Sequence, residues 1–156
     1  MNFDELQKLA GEGVPEAQYN LGLMYSLGKD VSKDAQAAIK WYQLAAEQGF
    51  AEAQTNLGLM YGKGQGVEQN SDRAVKWYRL AAEQRVNGAQ SNLGLMYEKG
   101  QGVEQNYVEA HKWFNIAGIN GNETGRRNAD ILEKKMTPGQ IIFAIGLAQE
   151  WEKKFK

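Results

Sequence analysis

The stretch AQYNLGLMY, residues 17–25, returns as AQTNLGLMY at residues 53–61 and as AQSNLGLMY at residues 89–97. The step is 36 residues both times. Three other sets of residues recur at the same 36-residue interval: Gly28, Gly64 and Gly100; Val31, Val67 and Val103; Trp41, Trp77 and Trp113. A fixed period of this length predicts a stacked repeat array, in which each unit buries its apolar face against the next.

Each repeat has the pattern of two helices. The first half, residues 16–28, contains no proline and ends at Gly28, which suits a helix C-terminus. The second half has apolar residues at the i, i+3, i+4, i+7 spacing of a helix with one buried stripe: Ala38, Trp41, Tyr42 and Ala45. Asp34, Asn70 and Asn106 precede the second helix of their repeats and are favoured N-cap residues. We therefore predict three antiparallel helix pairs.

Two further details concern packing and loops. Each first helix contains an interior glycine: Gly22, Gly58 and Gly94. Such a glycine costs a helix about 1 kcal/mol relative to alanine. We expect that cost to be offset by a close approach of the two helices, with the tryptophan of the same repeat nearby.

Arg85 stands where the other repeats have Gly49 and Gly121, which predicts a locally altered loop between the second and third repeats.

The chain ends depart from the repeat pattern as capping segments do. We predict one all-α domain of nine helices, residues 1–156, divided into an N-terminal capping helix, three repeats and C-terminal capping helices: 1–14; 15–50, 51–86, 87–121; 122–156. In the last segment, Thr137, Pro138 and Gln140 have the positions of an N-cap, an N1 proline and a capping-box partner. The helix that follows is predicted to cover the last open edge of the core.

Composition excludes several classes of function. The net charge is −1, from 18 basic and 19 acidic residues spread along the chain, so nothing indicates a nucleic-acid partner. Cysteine is absent, which excludes disulfides and thiolate metal sites. No signal peptide and no apolar run of transmembrane length is visible. We expect no metal, cofactor or membrane partner and a cytoplasmic location, or a periplasmic or secreted one if a leader was removed. The oligomeric state is not indicated.

The repeats resemble the Sel1-like repeat family, a relative of the tetratricopeptide repeats. The family pattern A-x-A-x-x-x-L-G-x-x-Y-x-x-G-x-G-V-x-x-D/N-x-x-x-A-x-x-W-x-x-x-A-A-x-x-G reads through residues 15–121 with few departures, and the tail MTPGQIIFAIGLAQEW is similar to the usual C-terminal end. The resemblance implies a right-handed superhelical α/α solenoid with the first helices lining a concave face. It also implies an adaptor role in protein complexes.

Helical geometry sorts the positions of the first helices. At 100° per residue, Gln18, Leu21, Gly22 and Tyr25 share one arc, which contains most of the repeat signature and is expected to be packed. The opposite arc, here called the groove arc, faces a groove or solvent. It supplies the predicted protein- or peptide-binding residues: Tyr19, Asn20, Leu23, Thr55, Asn56, Leu59, Lys63, Ser91, Asn92, Leu95 and Lys99.

The asparagine column of the groove arc, Asn20, Asn56 and Asn92, has two interpretations. A primary amide can donate to and accept from one peptide unit of an extended ligand. The resemblance to tetratricopeptide domains implies that role. Alternatively, the three amides bond to neighbouring helices and hold the stack together. The neighbouring leucine column, Leu23, Leu59 and Leu95, either supplies apolar contacts to a ligand or is half-buried between repeats. Lys63 and Lys99 either meet a ligand carboxylate or are simply solvated.

Catalytic apparatus is not evident in the sequence. Ser26 and Lys29 match S-x-x-K, but the companion motifs of penicillin-binding enzymes are missing. The G-x-G of residues 64–66 and 100–102 follows no strand, so a phosphate loop is not indicated. His111, the only histidine, shares the register of Ile39 and Val75 and is predicted to be a partly buried packing residue.

The sequence therefore predicts a non-catalytic scaffold or adaptor that binds a protein or peptide along the groove arc. One alternative is an immunity or inhibitor protein that binds a bacterial toxin, since some Sel1-like proteins have that role. A less favoured alternative is a β-lactam-binding or β-lactam-hydrolysing enzyme.

Overall fold

The computed structural model describes all 156 residues and contains helices without any strand, which confirms the all-α prediction. The nine α-helices are Phe3–Gly11 (α1), Pro15–Leu27 (α2), Ala35–Glu47 (α3), Ala51–Lys63 (α4), Ser71–Glu83 (α5), Asn87–Lys99 (α6), Tyr107–Ile119 (α7), Glu123–Glu133 (α8) and Pro138–Glu152 (α9). A short 3₁₀ turn, Lys153–Phe155, follows α9. None of the helices combines the length and apolarity that crossing a membrane requires.

The chain packs as two compact units, Met1–Ala81 and Ala82–Lys156. In the first unit, α1 packs against α2, α2 against α3, and α3 against α4. In the second unit, α7 is the central element and contacts α6, α8 and α9. In the first and third repeats, the first helix therefore packs beside the second helix that follows it in sequence, as the antiparallel pairs require.

Local capping signals determine where the helices begin and end. The side chains of Asp34, Asn70 and Asn106 each accept a hydrogen bond of 3.0 Å from the backbone N–H three residues later. Helices α2, α4 and α6 end at glycines in the left-handed conformation: Gly28, Gly64 and Gly100. Thr137 and Gln140 form a complete capping box at the start of α9, with proline at N1. These predicted caps are confirmed.

The interior glycines permit the close helix approach that we expected, but the ring that meets them is not tryptophan. A Cβ atom on Gly22 or Gly58 would lie 2.7 Å from the ring of Tyr42 or Tyr78, and one on Gly94 would lie 2.6 Å from the ring of Phe114. Each of these rings belongs to the residue after the repeat tryptophan. The glycine therefore provides the space for a buried aromatic ring of the second helix.

A series of buried side-chain bonds joins each first helix to the helix before it. The donors are the glutamines at the second position of the repeat motif, and every acceptor is the carbonyl oxygen eight residues earlier: Gln18 to Ala10 (3.1 Å), Gln54 to Ala46 (3.2 Å) and Gln90 to Ala82 (3.1 Å). Arg126, one repeat step after Gln90, makes the same bond to the Gly118 oxygen at 3.0 Å. We call these four bonds the carbonyl ladder.

The prediction of an altered loop at Arg85 is wrong. Arg85 has φ +71°, in the same left-handed region as Gly49 (+89°) and Gly121 (+96°). This conformation costs a non-glycine residue about 1–2 kcal/mol. Contacts of the side chain offset that cost, because the guanidinium lies 3.6 Å from the carboxylate of Glu152 and 4.2 Å from the ring centre of Phe155.

Tyr78 makes the stability of the chain sensitive to alkaline pH. Burial raises the pKa of Tyr78 from 10.0 to about 12. The folded chain therefore keeps this phenol protonated while the unfolded chain ionises it, so stability present below pH 10 declines between pH 10 and pH 12. We expect a loss of about 1.4 kcal/mol at pH 11 from this group. Urea unfolding at pH 8 and pH 11 measures this loss of unfolding free energy. Tyr78→Phe has no phenol to ionise at this position, so its unfolding free energy should fall by correspondingly less between the two pH values.

Candidate functional site

The groove arc of the first unit lies on α2 and α4. Tyr19, Asn20 and Leu23 of α2 are half-buried, as are Thr55, Asn56 and Leu59 of α4, whereas Lys63 is exposed. Of the predicted packed arc, Gln18, Leu21 and Gly22 are buried, whereas Tyr25 is half-buried.

A small cavity brings three predicted residues of two successive repeats together. Leu23, Asn56 and Leu59 line it. The rest of its wall comes from Ser26, Tyr42, Met60 and Gln65, and its volume is about 150 Å³. We call it the inter-repeat cavity. Its lining combines apolar side chains with hydroxyl and amide groups, which is the composition of a site that both buries and orients a ligand.

Asn56 is tied to two tyrosines of the preceding repeat. Burial raises the pKa of both Tyr19 and Tyr42, and side-chain hydrogen bonds with Asn56 act in the opposite direction on the pKa of each phenol. The Asn56 amide thus joins α4 to α2 and α3, which matches the stack-holding interpretation of this position. A primary amide can form about four hydrogen bonds, so Asn56 retains capacity for a ligand.

Aromatic packing surrounds the tyrosine end of this network. The ring centre of Tyr19 lies 5.9 Å from that of Tyr42 and 5.2 Å from that of Phe50. Thr55, by contrast, uses its hydroxyl within its own helix, donating to the Ala51 carbonyl oxygen at 3.0 Å. Of the two, Tyr19 belongs to the network around Asn56 and Thr55 does not.

Asn20 borders a different cavity from Asn56. That cavity has a volume of about 330 Å³ and lies beside α1 and α2, with Met1, Leu6 and Leu27 in its largely apolar wall. Leu23 borders both cavities. The predicted asparagine column therefore does not line a single depression even within the first unit.

The groove arc of the second unit is more engaged in packing. Ser91 is only 4% exposed and its hydroxyl has no hydrogen-bond partner, so a ligand cannot reach it in this conformation. Leu95 packs against the core cluster that contains Phe114. Asn92 is half-buried and Lys99 is exposed.

A cavity of the second unit that carries several polar side chains was not predicted. It has a volume of about 360 Å³, and its wall includes His111, Asn115, Arg126, Asp130 and Glu133. His111 is 1% exposed, and its Nε2 lies 2.8 Å from Oε1 of Glu133. The histidine at an otherwise apolar register position was the only signal of this cavity in the sequence. No group of three or more side chains suited to a metal ion occurs in the chain.

Ser26 and Lys29, the two residues of the S-x-x-K pattern, lie next to different groups of the first unit. The hydroxyl of Ser26 takes part in a hydrogen bond that lowers the pKa of Tyr42, against the larger effect of burial. Lys29 borders the cavity beside α1.

Known proteins share both the repeats and the fold. The Sel1 repeat family model matches residues 15–50, 51–86 and 88–122. A Sel1 repeat protein from Oxalobacter formigenes is 36% identical, with a TM-score of 0.75, over 81% of this chain and 95% of that one. The c5321 protein, a protective antigen of uropathogenic Escherichia coli with an SLR fold, is 33% identical, with a TM-score of 0.64, over 96% of this chain but 40% of that one.

A more distant structure shares the fold alone. Helicobacter pylori cysteine-rich protein B is 24% identical, with a TM-score of 0.61, over 78% of this chain and 92% of that one. No curated protein sequence matches the chain. Proteins built from Sel1 repeats are generally non-catalytic scaffolds for interactions between proteins. The family model covers three consecutive segments that together make up most of the chain, and the protein therefore belongs to the Sel1 repeat family.

Proposed function

We propose that the protein is a non-catalytic scaffold that binds an extended segment of a partner protein on the groove arc of residues 1–81. The observation that carries this proposal is the inter-repeat cavity, where Leu23 of one repeat meets Asn56 and Leu59 of the next. A site shared by consecutive repeats suits a ligand that runs along the array.

The size of the cavity fits one side chain of such a segment. Its volume is about 150 Å³, well above the roughly 10–15 Å³ that one water needs. Leu23, Leu59 and Met60 supply apolar contacts for the side chain. Every residue of an extended peptide also presents a backbone donor and acceptor, which the unused capacity of the Asn56 amide can meet.

Asn56→Ala should weaken binding of peptides selected against the chain from a random display library. Loss of one well-placed hydrogen bond costs about 0.5–1.5 kcal/mol, so affinity should fall roughly two- to tenfold. Fluorescence anisotropy with a labelled peptide measures the change. Lys40→Ala is the control, because Lys40 lies on the exposed surface of α3 in the same unit and borders no cavity described above.

A second variant separates the loss of a ligand contact from the loss of the bonds between Asn56 and the two tyrosines. Leu59→Ala removes part of the cavity wall without deleting the amide that bonds to Tyr19 and Tyr42. Both variants should bind more weakly than Lys40→Ala. If Asn56→Ala lowers the melting temperature while both variants keep full affinity, Asn56 is a stacking residue and the proposal fails.

A further inference from the structure

The cavity of the second unit that contains His111 brings together polar side chains from three helices. Each helix contributes residues one turn apart: His111 and Asn115 of α7, Arg126 and Asp130 of α8, and Ile145 and Gln149 of α9. Residues four apart share one face of a helix, so each of the three helices turns one face toward this space. The volume is about 360 Å³, within the range of roughly 300–1,000 Å³ that small-molecule sites have.

The acidic residues of this cavity stand where the third repeat has packing residues. One 36-residue step before Asp130 and Glu133 are Gly94 and Tyr97. Gly94 leaves room for the ring of Phe114, whereas no phenylalanine, tyrosine or tryptophan lines the cavity. The helix face that receives an aromatic ring in α6 therefore borders open space in α8 and carries carboxylates there.

His111 is a polar group that packing alone does not require, because the equivalent residues Ile39 and Val75 are apolar. Its side chain is buried, and Nε2 lies 2.8 Å from Oε1 of Glu133. A carboxylate only accepts, so Nε2 carries the proton of this bond, and Nδ1 of the neutral ring is left as an acceptor. Nδ1 has no hydrogen-bond partner, which is rare for a buried polar atom. The fold thus keeps an unsatisfied imidazole in this wall, where it holds the Glu133 carboxylate.

The charge that remains unpaired around the cavity is negative. The guanidinium of Arg126 is already occupied, since Nη2 donates to the Gly118 oxygen at 3.0 Å and Nη1 lies 3.4 Å from Oε1 of Glu123. The Asp130 carboxylate and the second oxygen of Glu133 have no partner within the chain. These two residues are three apart on α8 and lie on one face of the helix. A cation in the cavity would therefore meet two carboxylates.

A positively charged group with several N–H donors matches the acceptors of this cavity. The side chains of Asn115 and Gln149 make no hydrogen bond within the chain, so their amide oxygens add two acceptors. Ile119, also in the wall, is 55% exposed and offers apolar contact. A guanidinium presents five donors in a planar fork that suits carboxylates, and the methylenes before it can lie along an apolar surface.

We propose that this cavity binds the arginine side chain of a partner protein. A free amino acid would also need a partner for its α-carboxylate, and Arg126, the cation in the wall, is occupied. The inference does not rest on the proposed function, because no residue of the groove arc lines this cavity. Either proposal can fail without the other.

Nuclear magnetic resonance titration of ¹⁵N-labelled protein with N-acetyl-L-argininamide tests the site. The side-chain amide resonances of Asn115 and Gln149 report on the cavity, and saturable shifts of both are expected. The corresponding citrulline compound has nearly the same shape without the charge and should bind several-fold more weakly. Absence of saturable shifts at these two residues, or equal binding of the citrulline compound, would overturn the proposal. Tighter binding of free L-arginine than of the blocked compound would contradict a site for a protein side chain.

Charge-neutralising variants locate the bound cation. Asp130→Asn and Glu133→Gln should each raise the dissociation constant for N-acetyl-L-argininamide roughly three- to tenfold, since each removes one charge-assisted contact. Glu133→Gln keeps an oxygen that can accept from His111, so its melting temperature should stay close to that of the wild type. Glu104→Gln is the control, because Glu104 is an exposed acid of the same unit outside the cavity wall. Affinities of both variants equal to that of Glu104→Gln contradict the proposal.

Discussion

Gln90→Glu should lower the free energy of unfolding by about 3–5 kcal/mol near neutral pH, the range for leaving a charge buried without a partner. Gln90 is 0% exposed, its Nε2 donates to the Ala82 oxygen, and its Oε1 has no partner. A carboxylate at this position loses the donor and faces the Ala82 carbonyl instead. Urea unfolding followed by circular dichroism, compared with wild type at the same pH, measures the loss.

The loss should depend on pH in a definite direction. Burial raises the pKa of a carboxyl group at this position above its ordinary range. The protonated acid can donate to the Ala82 oxygen as the amide does. The difference in unfolding free energy from wild type should therefore be smallest below the unfolded-state pKa of the carboxyl group. It should grow as pH rises from that pKa to the folded-state pKa. A difference that does not change between pH 4 and pH 7 contradicts this mechanism.

Gln18→Glu provides a matched comparison. The Gln18 side chain makes the same ladder bond, but its Oε1 accepts from the Gln48 amide at 2.8 Å. A carboxylate there retains one donor, so the destabilisation should be smaller than at Gln90. Gln90→Met removes the ladder bond without adding charge and should cost about 0.5–1.5 kcal/mol, the net value of one hydrogen bond, because the Ala82 oxygen still accepts from the Arg85 backbone N–H at 3.0 Å.

Gly94→Ala should destabilise the protein by about 2–3 kcal/mol, although alanine is the better helix former. Its Cβ would lie 2.6 Å from the ring of Phe114 and 3.2 Å from the Ala110 carbonyl oxygen. Phe114 is fully buried, so its ring cannot move aside without disturbing the core of the second unit. Thermal and urea unfolding report the change.

Gly88→Ala is the control in the same helix. A Cβ atom on Gly88 meets nothing within 4 Å, so this substitution should leave stability unchanged or raise it by up to about 1 kcal/mol. Opposite signs for two identical substitutions in α6 would identify the contact with Phe114 as the cause. If Gly94→Ala is as stable as Gly88→Ala, the Phe114 ring and its neighbours can move to accept the added methyl group, and the predicted clash is wrong.

Helix boundaries were predictable because their causes are local. Asp34 caps α3 through a backbone N–H only three residues away, and Thr137 and Gln140 complete a box within the same turn. The conformation at Arg85 was not predictable in this way. Its left-handed backbone is the ordinary one for that loop position, and the contacts that make it tolerable come from Glu152 and Phe155, about 70 residues further on.

The candidate site was predictable to the level of a helix face. Periodicity alone separated the packed arc from the groove arc, and it indicated Leu23, Asn56 and Leu59. It did not show that Ser91 is covered or that Asn56 meets two phenols, since both facts depend on which side chains of neighbouring helices reach these positions. Equivalent positions in a repeat therefore have different surroundings.

The carbonyl ladder also constrains how such a chain can change length during evolution. Each ladder bond spans eight residues across the turn between repeats, and each connector within a repeat is closed by a backbone bond from Asp34, Asn70 or Asn106 to the tyrosine nine residues earlier. A single inserted residue in either segment breaks one of these closures. Duplication or deletion of a whole 36-residue segment preserves all of them. Arrays of this kind are therefore expected to grow and shrink by recombination in whole repeats.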